Sequence, residues 1–365
     1  MQENNLIKYE GGVVKKISSA ISITNKLLAF SERGKIIALF IAYPDFFRGL
    51  VSEYYPLNEV LIEKYKDKWD WDGLGRNKYF DWAEEFIEKY EAKWDWYKLG
   101  GNKAVPWSEV LIEKYKDRKD LWIGLGQNES LPWSEAFIEK YKAKWYWWYV
   151  GRNKAVPWSE DIIEKYKDRE QNKMSVWDGL SWNESLPWSE AFIEKYEAKW
   201  NWFRLGGNKA VPWSEALIEK YKDRKDLWLG LSGNESLPWS KAFIEKHEAK
   251  WYWAPLGANK AVPWSENLID KYKNQDLFWA GLSSNDSFPW SETFIEKNEA
   301  KWTLYHHQWY NLGGNKALPW SVQFIKKYET KWNWKYLGNQ GFWKKVFQPY
   351  VDDAMIEEVM EKIKK

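Results

Sequence analysis

The chain has 365 residues, of which 31 are tryptophan, 22 tyrosine and 16 phenylalanine, and its 55 basic and 53 acidic residues leave a formal charge of +2. The absence of cysteine excludes disulfides and thiolate metal sites, and a hydrophobic content of 44 % argues against disorder. The longest apolar run, Ile36 to Tyr43, is too short for a membrane helix, and the polar opening MQENNLIKYE has no signal-peptide pattern, so cytoplasmic residence is expected.

Residues 1–55 lack the motif that dominates the rest. Their apolar stretches LLAF and IIALFIAYPDFF flank SERGK at Ser31–Lys35. They predict two or three helices forming an amino-terminal cap, with a strand over 36–42 as the alternative.

From residue 56 the chain repeats itself. Pro-Trp-Ser recurs at Pro106, Pro132, Pro157, Pro187, Pro212, Pro238, Pro263, Pro289 and Pro319, with degenerate forms at Pro56 and Asp81. Most anchors are 25 or 26 residues apart, and two spacers stretch to 30. Units of the type NKAVPWSEALIEKYKDRKDLW alternate with units of the type NESLPWSEAFIEKYEAKWNW, giving a 51-residue double period. Alternation implies that odd and even units meet different neighbours. Short units that cannot bury an apolar stripe alone do so by stacking, which predicts an all-α solenoid of about eleven helical repeats over 56–338.

Within Pro132–Asn153, Phe137, Ile138, Tyr141 and Trp145 share one face of a helix, with Ser134 at the N-cap and Glu135 in the first turn. The pattern predicts a helix of about 13 residues, roughly 20 Å long, then a short helical turn and a loop. The tryptophans after the prolines (Trp107, Trp133 and their equivalents) read as core. Asn102, Asn128, Asn153, Asn183, Asn208, Asn234, Asn259, Asn285 and Asn315 each precede the anchor proline by four residues. An amide that both donates and accepts suits a structural role between units.

The second tryptophan of each Lys-Trp-x-Trp pair falls about 200° from the first on a continuing helix. Trp71, Trp96, Trp147, Trp202, Trp253 and Trp334 therefore either pack in the next groove or line a surface, and they are the candidate partner-binding residues. His306, His307 and Trp309, in the longer spacer Thr303–Gly314, join them, because insertions in repeat proteins map to loops on one face. The other long spacer is Asp168–Leu180.

Catalysis finds little support. Adjacent histidines do not share a helix face, His247 sits in a core tyrosine slot, and no phosphate-loop, dinucleotide or nucleophile-elbow string occurs. No cofactor or metal is expected. Residues 56–338 carry 43 basic and 43 acidic side chains, a balance that disfavours a nucleic-acid groove. The stretch VDDAMIEEVMEKIKK within 339–365 has helical spacing of Val351, Met355, Ile356 and Val359 and reads as a carboxy-terminal capping helix.

The unit PWSEAFIEKYEAKWNWFRLGGN resembles the tryptophan-rich helical repeats of uncharacterised bacterial proteins. The resemblance covers about 56–338 and implies no activity. The expected role is a non-enzymatic scaffold offering an extended surface to a protein partner. A glycan- or peptide-binding module built on tryptophan platforms and a self-assembling filament subunit are the rivals.

Overall fold

The computed structural model describes residues 31–171, 174–275, 277–302, 308–334, 337–338 and 340–363. The described chain is all-α apart from a two-residue antiparallel pairing of Glu170–Gln171 with Met174–Ser175 in the first long spacer. Residues 31–42 are helical.

Each unit contains two short helices: the first is shorter than expected, and the second stands where a short helical turn is expected. In the unit at Pro132 the first runs Glu135–Lys140 and the second Trp147–Arg152. Ser134 caps the first by accepting from Phe137 N at 3.1 Å. The expected continuation breaks at Tyr141, where a turn closes from Lys144 N to Tyr141 O at 2.8 Å. The break has a physical reason: the turn brings Trp145 back over the helix, where its indole Nε1 donates to Ile138 O at 3.1 Å, satisfying a carbonyl that the helix end would leave bare. Trp94, Trp200, Trp251, Trp302 and Trp332 make the same bond to Ile87, Ile193, Ile244, Ile295 and Ile325.

Two devices join successive units. The asparagines form a ladder. Asn128 Nδ2 donates to Gly100 O and Asn102 O of the preceding unit, while its Oδ1 accepts from Ser130 N within its own loop. The pattern recurs from Asn77 to Asn315, so each amide closes one unit's loop onto the previous unit's backbone. Between the first helices the link is made by side chains alone: Tyr141 Oη donates to Glu113, and Lys140 reaches Glu109.

The second helices approach far more closely, and in pairs. Trp96–Gly101 packs on Lys119–Gln127, Trp147–Arg152 on Val176–Leu180, Trp202–Gly207 on Lys225–Gly233, and Trp253–Ala258 on Phe278–Leu282. Glycines permit it: a Cβ on Gly206 would lie 2.6 Å from Leu227 O, and one on Gly257 2.7 Å from Phe278 O. The next pairing is looser, with Gly233 facing Pro255 Cβ at 3.6 Å. The 51-residue alternation of the sequence is thus an alternation of glycine-tight and side-chain-spaced joints. Because backbones meet on the second-helix side and only long side chains span the first-helix side, the row curves with the second helices inside.

The curvature brings the two ends together. Arg33 pairs with Asp352 at 2.9 Å, Tyr55 Oη donates to Asp353 at 2.6 Å, and Lys64 pairs with Glu357 at 3.0 Å. Phe40 and Phe46 meet Phe347 at ring separations of 5.0 and 5.8 Å. These contacts reproduce those between ordinary units. Asp352 caps the helix Asp353–Lys362 by accepting from Met355 N, as Ser134 does from Phe137 N, and Met355–Ile356 take the places of Phe137–Ile138. Lys64 reaches Glu357 as Lys89 reaches Glu63. At the other end, Ser52 accepts from Asp70 N as Ser181 does from Asn201 N, and Ser52 O receives the amide of Asn77 as Ser181 O receives that of Asn208. Pro44–Tyr54 is therefore the inner helix, and Asp353–Lys362 the outer helix, of one further unit supplied from both ends of the chain. The solenoid closes into a ring.

His247 occupies the tyrosine slot as expected, with its ring 5.1 Å from Trp228. Burial, then the adjacent Lys246, pushes its pKa below the ordinary histidine value, against the opposing pull of Glu215 and Glu219. The folded protein thus holds His247 neutral while the unfolded chain protonates near pH 6.5, so its contribution is present above that pH and lost as pH falls through it. Replacing His247 with tyrosine is expected to raise stability by about 1 kcal/mol, the net worth of the hydrogen bond to Glu219 that other units make. The melting-temperature gap between variant and parent should widen from pH 7.5 to 5.5. A constant gap would mean that His247 does not titrate in this window. Loss of the carboxylate bonds belongs to a lower window, because Glu63 and Glu113, which accept from Tyr90 and Tyr141 and from lysines, are held down to about 2.

Candidate binding surface

The structure places the candidate tryptophans in joints. Trp71, Trp96, Trp147, Trp202, Trp253 and Trp309 each begin or lie in an inner helix and pack on the tyrosine of the next unit's outer helix, at 5.0, 4.4, 4.7, 4.4, 4.4 and 5.1 Å. Trp334 stacks on Tyr43 at the ring closure, at 3.5 Å and 9°. Trp96, Trp147, Trp202 and Trp309 are buried, and Trp71, Trp253 and Trp334 are half-buried. Cations cover several of the rings: Arg118 lies 4.4 Å over Trp96, and Arg224 lies 4.2 Å over Trp202. Of the two outcomes open at the sequence level, packing in the next groove is the one observed. Trp122, Trp177, Trp228 and Trp279 hold the same place in the alternate units, which the differing local sequence (Asp-Leu-Trp, Ser-Val-Trp or Leu-Phe-Trp in place of Lys-Trp-x-Trp) conceals. His306 and His307 lie outside the described residues.

The side chains facing the ring's inside are instead those just after each joint tryptophan. In one class of unit they are large: Tyr97 and Lys98, Trp148 and Tyr149, Phe203 and Arg204. In the intervening units the matching helices bring Gly124 and Gly179 to the contact, so these residues reach across to one another over a low floor. The Arg204 guanidinium lies 5.2 Å over the Trp148 ring although a whole unit separates them in sequence. Tyr149 has its pKa raised, first by burial and then by the nearby Tyr97. Phe203 is 37 % exposed, among the most open aromatic side chains described. Beyond this arc the same positions shrink to Ala254 and Pro255.

The outer face has the opposite chemistry. Lysines and glutamates of neighbouring units pair along it, as in Lys165–Glu135, Lys246–Glu215 and Lys271–Glu245. Such exposed pairs add little stability each. Among the described residues no group of three or more histidine, aspartate and glutamate side chains is arranged to hold a metal ion, and no helix is long and apolar enough to cross a membrane.

Comparison with family models, curated proteins and solved structures gave no match. The chemistry of the arc therefore carries the functional argument by itself.

Proposed function

We propose that this protein is a non-enzymatic ring scaffold that holds a protein partner against the arc Tyr97–Arg204 of its inner face. The supporting observation is the strip of Tyr97, Trp148, Tyr149 and Phe203 interleaved with Lys98 and Arg204, laid over glycines in a molecule whose other aromatic side chains mostly serve as joints. Tryptophan, tyrosine and arginine dominate binding energy where proteins meet, because they combine large rigid area with a polar handle. The filament alternative requires the contacts between the two ends to open, since closure uses both end faces within one chain.

The test is a pair of substitutions that leave the joints intact. Trp148→Ala with Phe203→Ala is expected to abolish retention of a specific host protein on the immobilised ring while changing the melting temperature by only a few degrees. Recovery of the same protein by both forms, or of none by either, sinks the proposal.

A further inference from the structure

At the edge of the arc, the residue before each ladder asparagine is small in most units: Gly101, Gly207, Gly233, Ala258, Ser284 and Gly314. Three consecutive units depart together, with Gln127, Arg152 and Trp182. The remaining large residue, Arg76, is accounted for by its pair with Glu53 at 2.8 Å. Gln127 Nε2 donates to Ile123 O at 3.2 Å within its own helix, and no ion pair is seen for Arg152 among the described residues. A repeat position that is filled by a small residue wherever only the fold matters, and by an amide, a guanidinium and an indole in one contiguous run, has a second task there.

The three side chains line one cleft of about 370 Å³, closed below by Tyr149 and Asn153 and rimmed by Glu129, Lys154 and Glu184. Arg152 lies 5.1 Å over the Trp182 ring, and no hydrogen bond or carboxylate partner is seen for its guanidinium among the described residues. The Trp182 indole Nε1 is likewise without an acceptor. The two rim glutamates are already matched, Glu129 by Lys103 and Glu184 by Lys154. The cleft is thus left with one uncompensated positive charge, unused donors and an aromatic wall, in a space the size of one or two sugar rings.

We propose that this cleft is a subsite for a carboxylate-bearing sugar, a uronate unit of an acidic glycan. The carboxylate pairs with the fork of Arg152, whose planar donors match it. The apolar face of the pyranose lies against the Trp182 and Tyr149 rings, and Gln127 and the rim glutamates meet its hydroxyls. A nucleic-acid strand fits less well, because one free guanidinium between two carboxylates does not neutralise successive phosphates. The cleft shares Tyr149 with the arc proposed for a protein partner but includes neither Trp148 nor Phe203, so substitutions at Arg152, Trp182 and Phe203 let either proposal fail alone.

The neighbouring units supply the control variants: Arg152→Gly and Trp182→Gly each restore the residue type that the fold accepts elsewhere. Tryptophan fluorescence and calorimetry with a galacturonate hexamer are expected to show saturable binding. Each variant should weaken it at least tenfold with an unchanged melting temperature, and a neutral glucose hexamer should bind at least tenfold more weakly than the uronate. Phe203→Ala alone, outside the cleft lining, should bind the uronate as the parent does. The proposal is overturned by absence of saturable uronate binding, by equal binding of the neutral hexamer, by variants that bind like the parent, or by preference for single-stranded oligothymidylate.

Discussion

A chain ending at Val351 is expected to lose its cooperative unfolding transition, or to melt at least 20 °C below the full protein. The removed segment contributes Met355, Ile356, Val359, Met360 and Ile363, all at most 4 % exposed. Burial of each side chain of this kind is worth about 1.5–3 kcal/mol, and the sum is of the order of a whole domain's net stability. The loss does not stop there. Without this helix the first repeat loses Glu357 as partner of Lys64, and Tyr55 and Asn58 lose Asp353. An open array frays from its ends, whereas a closed one has none. A permuted chain, in which Lys365 is joined to Ser31 through a flexible linker and new ends are cut in the loop at Lys154–Ala155, should recover the transition, because it makes the split unit continuous. Truncation that costs only a few degrees would refute the ring.

Alanine at Gly230 is expected to destabilise by about 3 kcal/mol or more, while alanine at Gly207, on the facing helix, should be neutral or stabilising by up to about 1 kcal/mol, the ordinary helix preference for alanine. The opposite signs come from distance alone. At Gly230 a Cβ would run into Phe203 O and lie 2.7 Å from Gly207 N, both backbone atoms that cannot step aside. At Gly207 its nearest neighbour is Gly230 O at 3.7 Å, an ordinary contact. Forced separation of this joint also removes the fit between Trp202 and Tyr221 in the same unit boundary. Urea denaturation of the two single variants decides the matter, and equal effects would mean that the paired helices are not packed through their glycines.

Much of the architecture was legible in the residues. The Pro-Trp-Ser spacing marked the units, the serine N-caps marked helix starts, and the recurrent asparagine had the right chemistry for a backbone clamp; each depends on contacts within or just beyond one repeat, so a period in sequence becomes a period in space. The helix length was misread for a local reason with a tertiary cause. The stripe Phe137, Tyr141, Trp145 fits a continuous helix, but the chain gains more by turning at Tyr141 and bonding Trp145 to Ile138 O. Whether the second tryptophans pack in the next groove or line a surface stays open in the sequence because the partner ring, a tyrosine some 20 residues further on, belongs to another unit.

What the sequence determined by itself was the module: an apolar stripe, capped starts, a clamp residue, and too little core to stand alone. The tertiary structure decided what the modules make together. Whether stacked units run on or close depends on the angle accumulated at every joint, and that angle is set by how near the glycine-bearing backbones can come while lysine and glutamate hold the other side apart. The same closeness lifts Tyr97, Trp148 and Phe203 into view across the glycine floor. Small differences in spacing, summed around the ring, have no signature in any one repeat.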